Sequence, residues 1–229
     1  MLNVIYEDNH LLIVEKPPNL LTQGDATGDP CLADMAKAYL KEKYNKPGDV
    51  YLGLVHRLDR PVGGLVALAR TSKAASRLSD QLRTHAMQRE YLAVVHGADI
   101  AANGTCTGYL LDENGTVRCV PEGTKDAKQA VLHWDTLGTR DDLALLHVRL
   151  ETGRKHQIRV QLANQGHPIV QDMRYGTDPP GEPIALWGAR LILTHPIQKN
   201  TMRFYSVPKG KAFDGFQAEI DEWIIKEKI

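Results

Sequence analysis

The chain has 229 residues, 42% of them hydrophobic and 24% charged, enough for one folded core or a two-lobed one, and this excludes disorder as its overall state. Its 28 basic and 28 acidic residues cancel, so the basic excess typical of nucleic-acid binders is missing from the sum, though distribution matters more than the total. No apolar run approaches the ~20 residues of a membrane helix, and no basic segment leads into a long apolar core near the N-terminus, so a cytoplasmic protein without membrane contact is expected.

Asn3 to Glu15 reads as two short strands around a turn at Asp8-Asn9, with Leu11-Leu12-Ile13-Val14 as a buried strand ended by Lys16-Pro17-Pro18. Residues 22–30, rich in Gly and Asp, read as loop. Leu32, Met35, Ala36, Tyr39 and Leu40 recur at helical spacing, which predicts an amphipathic helix over 31–44 closed by Asn45 to Asp49. Leu65 to Ala69 is a further apolar strand. Thr71 or Ser72 then caps a helix to about His85, with Ala75, Leu78 and Leu82 inward. Tyr91 to His96 reads as a strand ending at Gly97. Ala98 to Lys128 is read as hairpins and loops. Ala130 to Leu137 and Leu143 to Leu150 follow as strands. Thr152-Gly153 turns the chain into a helix from Arg154 to about Asn164, stopped at Gly166, with Ile158, Leu162 and Ala163 toward the core. Leu186 to Thr194 and Met202 to Val207 form a late hairpin, and Phe213 to Ile229 a short terminal helix. There is no internal repeat.

The three cysteines, Cys31, Cys106 and Cys119, make no C-x-x-C pair, and the nine histidines do not cluster with acids at ligand spacing. Reduced structural thiols and no metal site are expected. The chemistry is carried elsewhere, by Val55-His56-Arg57-Leu58-Asp59-Arg60-Pro61-Val62-Gly63-Gly64-Leu65. A carboxylate between two arginines is expected to be ionised at neutral pH. Taken alone, it is a nucleophile or base over a bound ligand, or half of a structural ion pair on an ordinary turn.

A second segment, Glu151-Thr152-Gly153-Arg154-Lys155-His156-Gln157-Ile158-Arg159-Val160, changes that balance. The two segments together resemble the RluA-type RNA pseudouridine synthase family, whose members read HRLD before a T-S-G-like turn and later G-R-x-H-Q-hydrophobic-R. Tyr6 to Pro17 resembles the family's first motif, and Arg89-Glu90-Tyr91-Leu92-Ala93-Val94-Val95-His96-Gly97 its tyrosine-bearing strand. The resemblance runs from about residue 3 to about residue 208. It implies an α+β pseudouridine-synthase fold: a bent, mixed, mainly antiparallel sheet with surrounding helices and a central cleft. Residues 1–229 are then a single catalytic domain without the S4-like RNA-binding domain of many relatives.

The implied reaction breaks the uracil N1–C1′ bond, turns the base and rejoins it through C5. It has no net redox change and no outside donor, so no cofactor is expected. Positive charge builds at the sugar, and a carboxylate stabilises or traps it. The resemblance assigns this to Asp59, as nucleophile or as base at C2′. Arg159 is its implied partner, which holds the acid ionised and aimed. Tyr91 is to stack on the target base and act in the late proton transfer at C5. Arg57 is to fill the place of the flipped uridine, and Ile158 to close the uracil pocket. His56 is placed beside the substrate as a packing or hydrogen-bonding residue. Arg154 and Lys155, at an expected helix start, favour a phosphate.

Each residue also has a plainer reading: Arg159 as a surface helix residue, Tyr91 as core, Arg57 in an ion pair, Arg154 and Lys155 as a solvated turn. With Arg60 and Arg70, the basic residues of these motifs are expected to form a local basic cleft. The partner implied is RNA, an rRNA or tRNA stem-loop, bound by a monomer. One departure stands out: the family's T-S-G is here Val62-Gly63-Gly64, without the hydroxyls. An RNA-binding or RNA-folding protein that kept the fold, and an N-glycosidase that releases the base, are the competing readings.

Overall fold

Three times along its length the chain passes between two units, Met1–Arg89 with Gly188–Ser206 and Glu90–Trp187 with Val207–Ile229. The structure, a computed structural model, describes residues 2–228. The elements run β1 (Asn3–Glu7), β2 (Leu11–Lys16), α1 (Leu32–Lys43), β3 (Gly53–Leu54), β4 (Gly63–Ala69), α2 (Ser72–Arg83) and β5 (Gln88–His96). Next come β6 (Asn103–Glu113), β7 (Thr116–Val120), β8 (Lys128–Arg140), β9 (Leu143–Leu150) and α3 (Gln157–Asn164). The chain closes with β10 (Leu186–Thr194), β11 (Thr201–Tyr205), α4 (Lys211–Asp214) and α5 (Gln217–Lys228). Ile229, the last residue of the expected terminal helix, lies outside the described residues. Among the described residues no helix is long and apolar enough to cross a membrane.

In the first unit, β1 pairs antiparallel with β2, β2 with β4, β3 with the end of β4, and β10 with β11. β4 has β10 as its other neighbour. The unbroken apolar runs of β2 and β4 are buried on both faces, as such runs must be. Leu11, Ile13, Leu65, Ala67 and Ala69 pack with Leu191 and Leu193 and with Ala74 and Leu78 of α2. Each such leucine contributes roughly 1.5–3 kcal/mol by leaving water. The Thr71 hydroxyl accepts the Ala74 amide at 3.2 Å, which is the cap read from the sequence. At the β1–β2 turn, Asp8 Oδ1 accepts the amides of His10 and Leu11, both at 2.7 Å.

The second unit orders its strands β5-β9-β8-β6-β7, each antiparallel to its neighbour. The stretch read as hairpins and loops is one long hairpin, β6–β7. Its turn is Asn114-Gly115, both at positive φ (52° and 93°), the conformation that lets two residues reverse a twisted strand pair. In α3, Gln157 to Leu162 are all buried.

The start of that helix corrects the sequence reading. α3 begins at Gln157, not Arg154, because His156 adopts a left-handed conformation (φ 54°). The Gln157 side chain explains the turn. Its Oε1 accepts the Arg154 amide at 3.0 Å and the Thr152 hydroxyl at 2.8 Å, and its Nε2 donates to the Val131 carbonyl at 3.1 Å. Arg154 and Lys155 therefore sit on a tight turn ahead of the helix, and the argument from helix N–H groups does not apply to them.

Gly64 lies against the backbone of Gly188. Its φ is +123°, and a Cβ there would lie 2.4 Å from the backbone N and O of Gly188. Gly64→Ala is expected to cost at least about 2 kcal/mol, from a forbidden backbone conformation and a clash with rigid main chain. A urea or thermal unfolding curve measures it, with Gly108→Ala as the control, since a Cβ at Gly108 meets nothing within 4 Å.

Candidate active site

In the first unit the chain around Asp59 is held by main-chain bonds from both sides. The Val62 amide closes a turn onto the Asp59 carbonyl at 3.0 Å. The Thr22 hydroxyl donates to the Leu58 carbonyl at 2.7 Å and accepts the Leu58 amide at 3.2 Å. Lys16 is 0% exposed, and its ammonium donates to the carbonyls of Pro17 (3.0 Å), Leu20 (2.7 Å) and Arg60 (3.0 Å). Burial pushes Lys16 down to about 7, while the negative charge of Asp59 works against that shift. The residues on either side of Asp59 are thus tied down, Arg60 to the first motif by Lys16 and Leu58 to the following loop by Thr22.

His56 is buried at 7% exposure, and its Nε2 accepts the Ala67 amide of β4 at 3.0 Å. Burial first, and then the Arg89 charge, push its pKa down to about 3. The ring is neutral and fixes the motif to β4. Arg57 is exposed. Arg60 reaches Asp29 at 2.7 Å, an exposed ion pair.

In the second unit Arg159 of α3 is 5% exposed and meets Asp172, 0% exposed, in a two-pronged pair: Nε to Oδ2 at 2.8 Å and Nη2 to Oδ1 at 2.7 Å. Burial alone would raise the Asp172 carboxyl. The Arg159 bonds and charge, with the amides of Arg174 and Tyr175, hold it below the usual carboxylate range. The Arg159 guanidinium carbon lies 5.3 Å from the centre of the Tyr175 ring. Ile158, beside it, is buried. Tyr91 is buried on β5, opposite Val148 of β9.

Asp172 and Tyr175 were not found by sequence reasoning. They stand in the irregular segment after Gly166, where no periodicity or motif singled them out. The expected basic cleft also changes character. Lys155 pairs with Asp112 at 2.9 Å, Arg70 with Glu7 at 2.9 Å, and Arg154 Nε donates to the Gln129 carbonyl at 2.9 Å. The zero net charge is expressed in part as local pairing. Among the described residues no group of three or more His, Cys, Asp or Glu is placed to hold a metal ion.

The His56 shift carries a pH dependence. Its folded value of about 3 lies below the ordinary 6.5, so as pH falls the unfolded chain takes up the proton first. The stabilisation is complete above pH ~6.5 and is lost as pH falls toward ~3. Between about pH 6.5 and 4.5 wild type should lose on the order of 2 kcal/mol more than His56→Asn, read from urea midpoints. Equal slopes would mean that His56 is protonated in the fold.

The family described as RNA pseudouridylate synthase matches residues 10–164. A ribosomal large subunit pseudouridine synthase D of Xanthomonas campestris is 38% identical over 175 residues, covering 76% of this chain and 52% of that protein. The protein of the same name from Haemophilus influenzae is 32% identical over 223 residues, covering 90% and 67%. The chain thus spans about half to two thirds of the length of these relatives. Among solved structures, human RNA pseudouridylate synthase domain containing 4 superposes with a TM-score of 0.76 at 20% identity, over 96% of this chain and 93% of that one, which shows a shared fold. With a match over residues 10–164 and relatives of this identity, the chain belongs to the RNA pseudouridylate synthase family.

Proposed function

We propose that this protein isomerises uridine to pseudouridine in structured RNA, with Asp59 as the reacting carboxylate. The observation that supports this best is the anchoring of the Asp59 loop. Leu58 and Arg60 are both held through main-chain atoms by the side chains of Thr22 and Lys16, which fixes the backbone that presents the Asp59 side chain. A reacting group held by rigid main chain loses little entropy on reaching the sugar.

The other roles rest on the motifs. Arg159 is the cation for the carboxylate, Tyr91 stacks on uracil and serves the proton transfer at C5, and Ile158 closes the pocket. Arg57, exposed, takes the place of the flipped base. Arg154 and Lys155 contact the phosphate backbone, Lys155 by exchanging Asp112 for phosphate. The substrate class is ribosomal or transfer RNA presenting a stem-loop, in the cytoplasm. The printed names of the bacterial relatives favour ribosomal RNA.

The test is tritium release from C5-labelled uridine in total RNA from a strain lacking the gene. Wild type is expected to release tritium and Asp59→Asn to release at least about 10³-fold less, in keeping with loss of a covalent or charge-stabilising group. Free uracil without pseudouridine would mean N-glycosidase chemistry. RNA binding by wild type with no release would favour the RNA-folding reading. In the same assay Tyr91→Phe should keep RNA affinity within about twofold while slowing turnover; normal turnover would leave Tyr91 a stacking role alone.

A further inference from the structure

We propose that Tyr175 is a positioning residue for Arg159, tying its guanidinium to the edge strand β7 and to the turn ahead of α3. The proposal rests on the functional reading above for its kinetic part and on the geometry of the second unit for the rest. Three contacts converge on this one side chain. The ring packs against the Arg159 guanidinium at 5.3 Å, on a cation already gripped edge-on by Asp172. The hydroxyl accepts the Val117 amide of β7 at 3.3 Å. The same hydroxyl lies 2.8 Å from Nδ1 of His156, the left-handed residue immediately before α3.

The arrangement has a physical logic. Asp172 fixes two N–H groups of the guanidinium in its own plane, but a planar pair still allows rocking about the line joining the two ions. A ring against the guanidinium restrains that motion. Tyr175 needs a fixed position to do so, and its hydroxyl bonds supply one. β7 ends the strand order of its unit, so an outward N–H of this strand has no ladder partner and takes the Tyr175 oxygen instead. The ring also packs with the buried cluster of Leu110, Val117, Ala130 and Val160. A neighbouring bond reinforces the frame: Arg174 Nη1 donates to the Gly115 carbonyl at 2.8 Å. The β6–β7 hairpin is thereby pinned to both segments that hold Arg159. Misplacing a reacting group by about 1 Å can cost on the order of 100-fold in rate, so this support bears on turnover more than on affinity.

The experiment compares wild type, Tyr175→Phe and Tyr175→Leu in three readouts: single-turnover tritium release, RNA Kd, and solvent exchange of the Arg159 Nε–H proton by NMR, assigned by its loss in Arg159→Lys. Tyr175→Leu is expected to lower the single-turnover rate at least about tenfold with Kd within about twofold, and to speed exchange of the Nε–H proton. Tyr175→Phe keeps the ring and loses the hydroxyl anchors, so it should fall between the two in rate. A wild-type rate and unchanged Nε–H exchange in Tyr175→Leu would overturn the proposal, as would a loss confined to Kd. If wild type itself releases no tritium, the functional reading fails, and the exchange measurement still decides whether Tyr175 restrains Arg159.

Discussion

A cation removed from water has to recover its hydration from the protein, and the fully buried Lys16 does so with main-chain oxygens. Burying an ammonium costs several kcal/mol unless its donors are satisfied. Three carbonyls answer the three N–H groups, and they come from distant points: Pro17 and Leu20 just after β2, and Arg60 in the segment before β4. The charged form of Lys16 is favoured when the segment carrying Arg60 is in place. The loop is therefore tied to the core of its own unit. The negative charge of Asp59 adds to this by favouring the charged form of the lysine.

The second unit solves the same problem with a different pair. Arg159 and Asp172 are both withdrawn from solvent, and a planar guanidinium meets a planar carboxylate through two parallel bonds. A buried pair of this kind is weak evidence for stability, because the two desolvation costs offset much of the attraction. Its value lies in direction. Asp172 is itself held by the amides of Arg174 and Tyr175, so the orientation of the arginine is set by main chain at one remove. In each unit a charged group of a motif is thus aimed by backbone atoms, which do not change rotamer.

What could be read from the sequence follows from the range of each interaction. The apolar runs of β2 and β4, the Thr71 cap and the ordered family motifs are local patterns, and local patterns survive in one dimension. Arg159 could be singled out by its motif, but Asp172 is 13 positions away in a segment without period. Lys16 and Arg60 are 44 positions apart, and Thr22 and Leu58 are 36 apart. No spacing rule links such pairs. The misplaced start of α3 has another origin: propensity says nothing of a glutamine side chain that folds back to take the Arg154 amide and leaves His156 left-handed. The pairing of the basic residues was likewise invisible, since composition reports a sum and not neighbours.

The Val62-Gly63-Gly64 turn is where this chain departs from the family pattern, and the structure gives the departure a physical account. Hydroxyls at the first two positions are one way to hold a loop beside a reacting carboxylate. Here the loop is already held by Lys16, Thr22 and the Val62 amide, none of which needs a side-chain oxygen at 62 or 63. Val62 is buried instead, and a buried valine contributes about 1.5–3 kcal/mol where an unpaired hydroxyl would cost a comparable amount. The third position is different in kind. The backbone at Gly64 has a positive φ and meets Gly188 too closely for any Cβ. In this chain the first two positions carry a job that other residues do, whereas the glycine carries one that no side chain can.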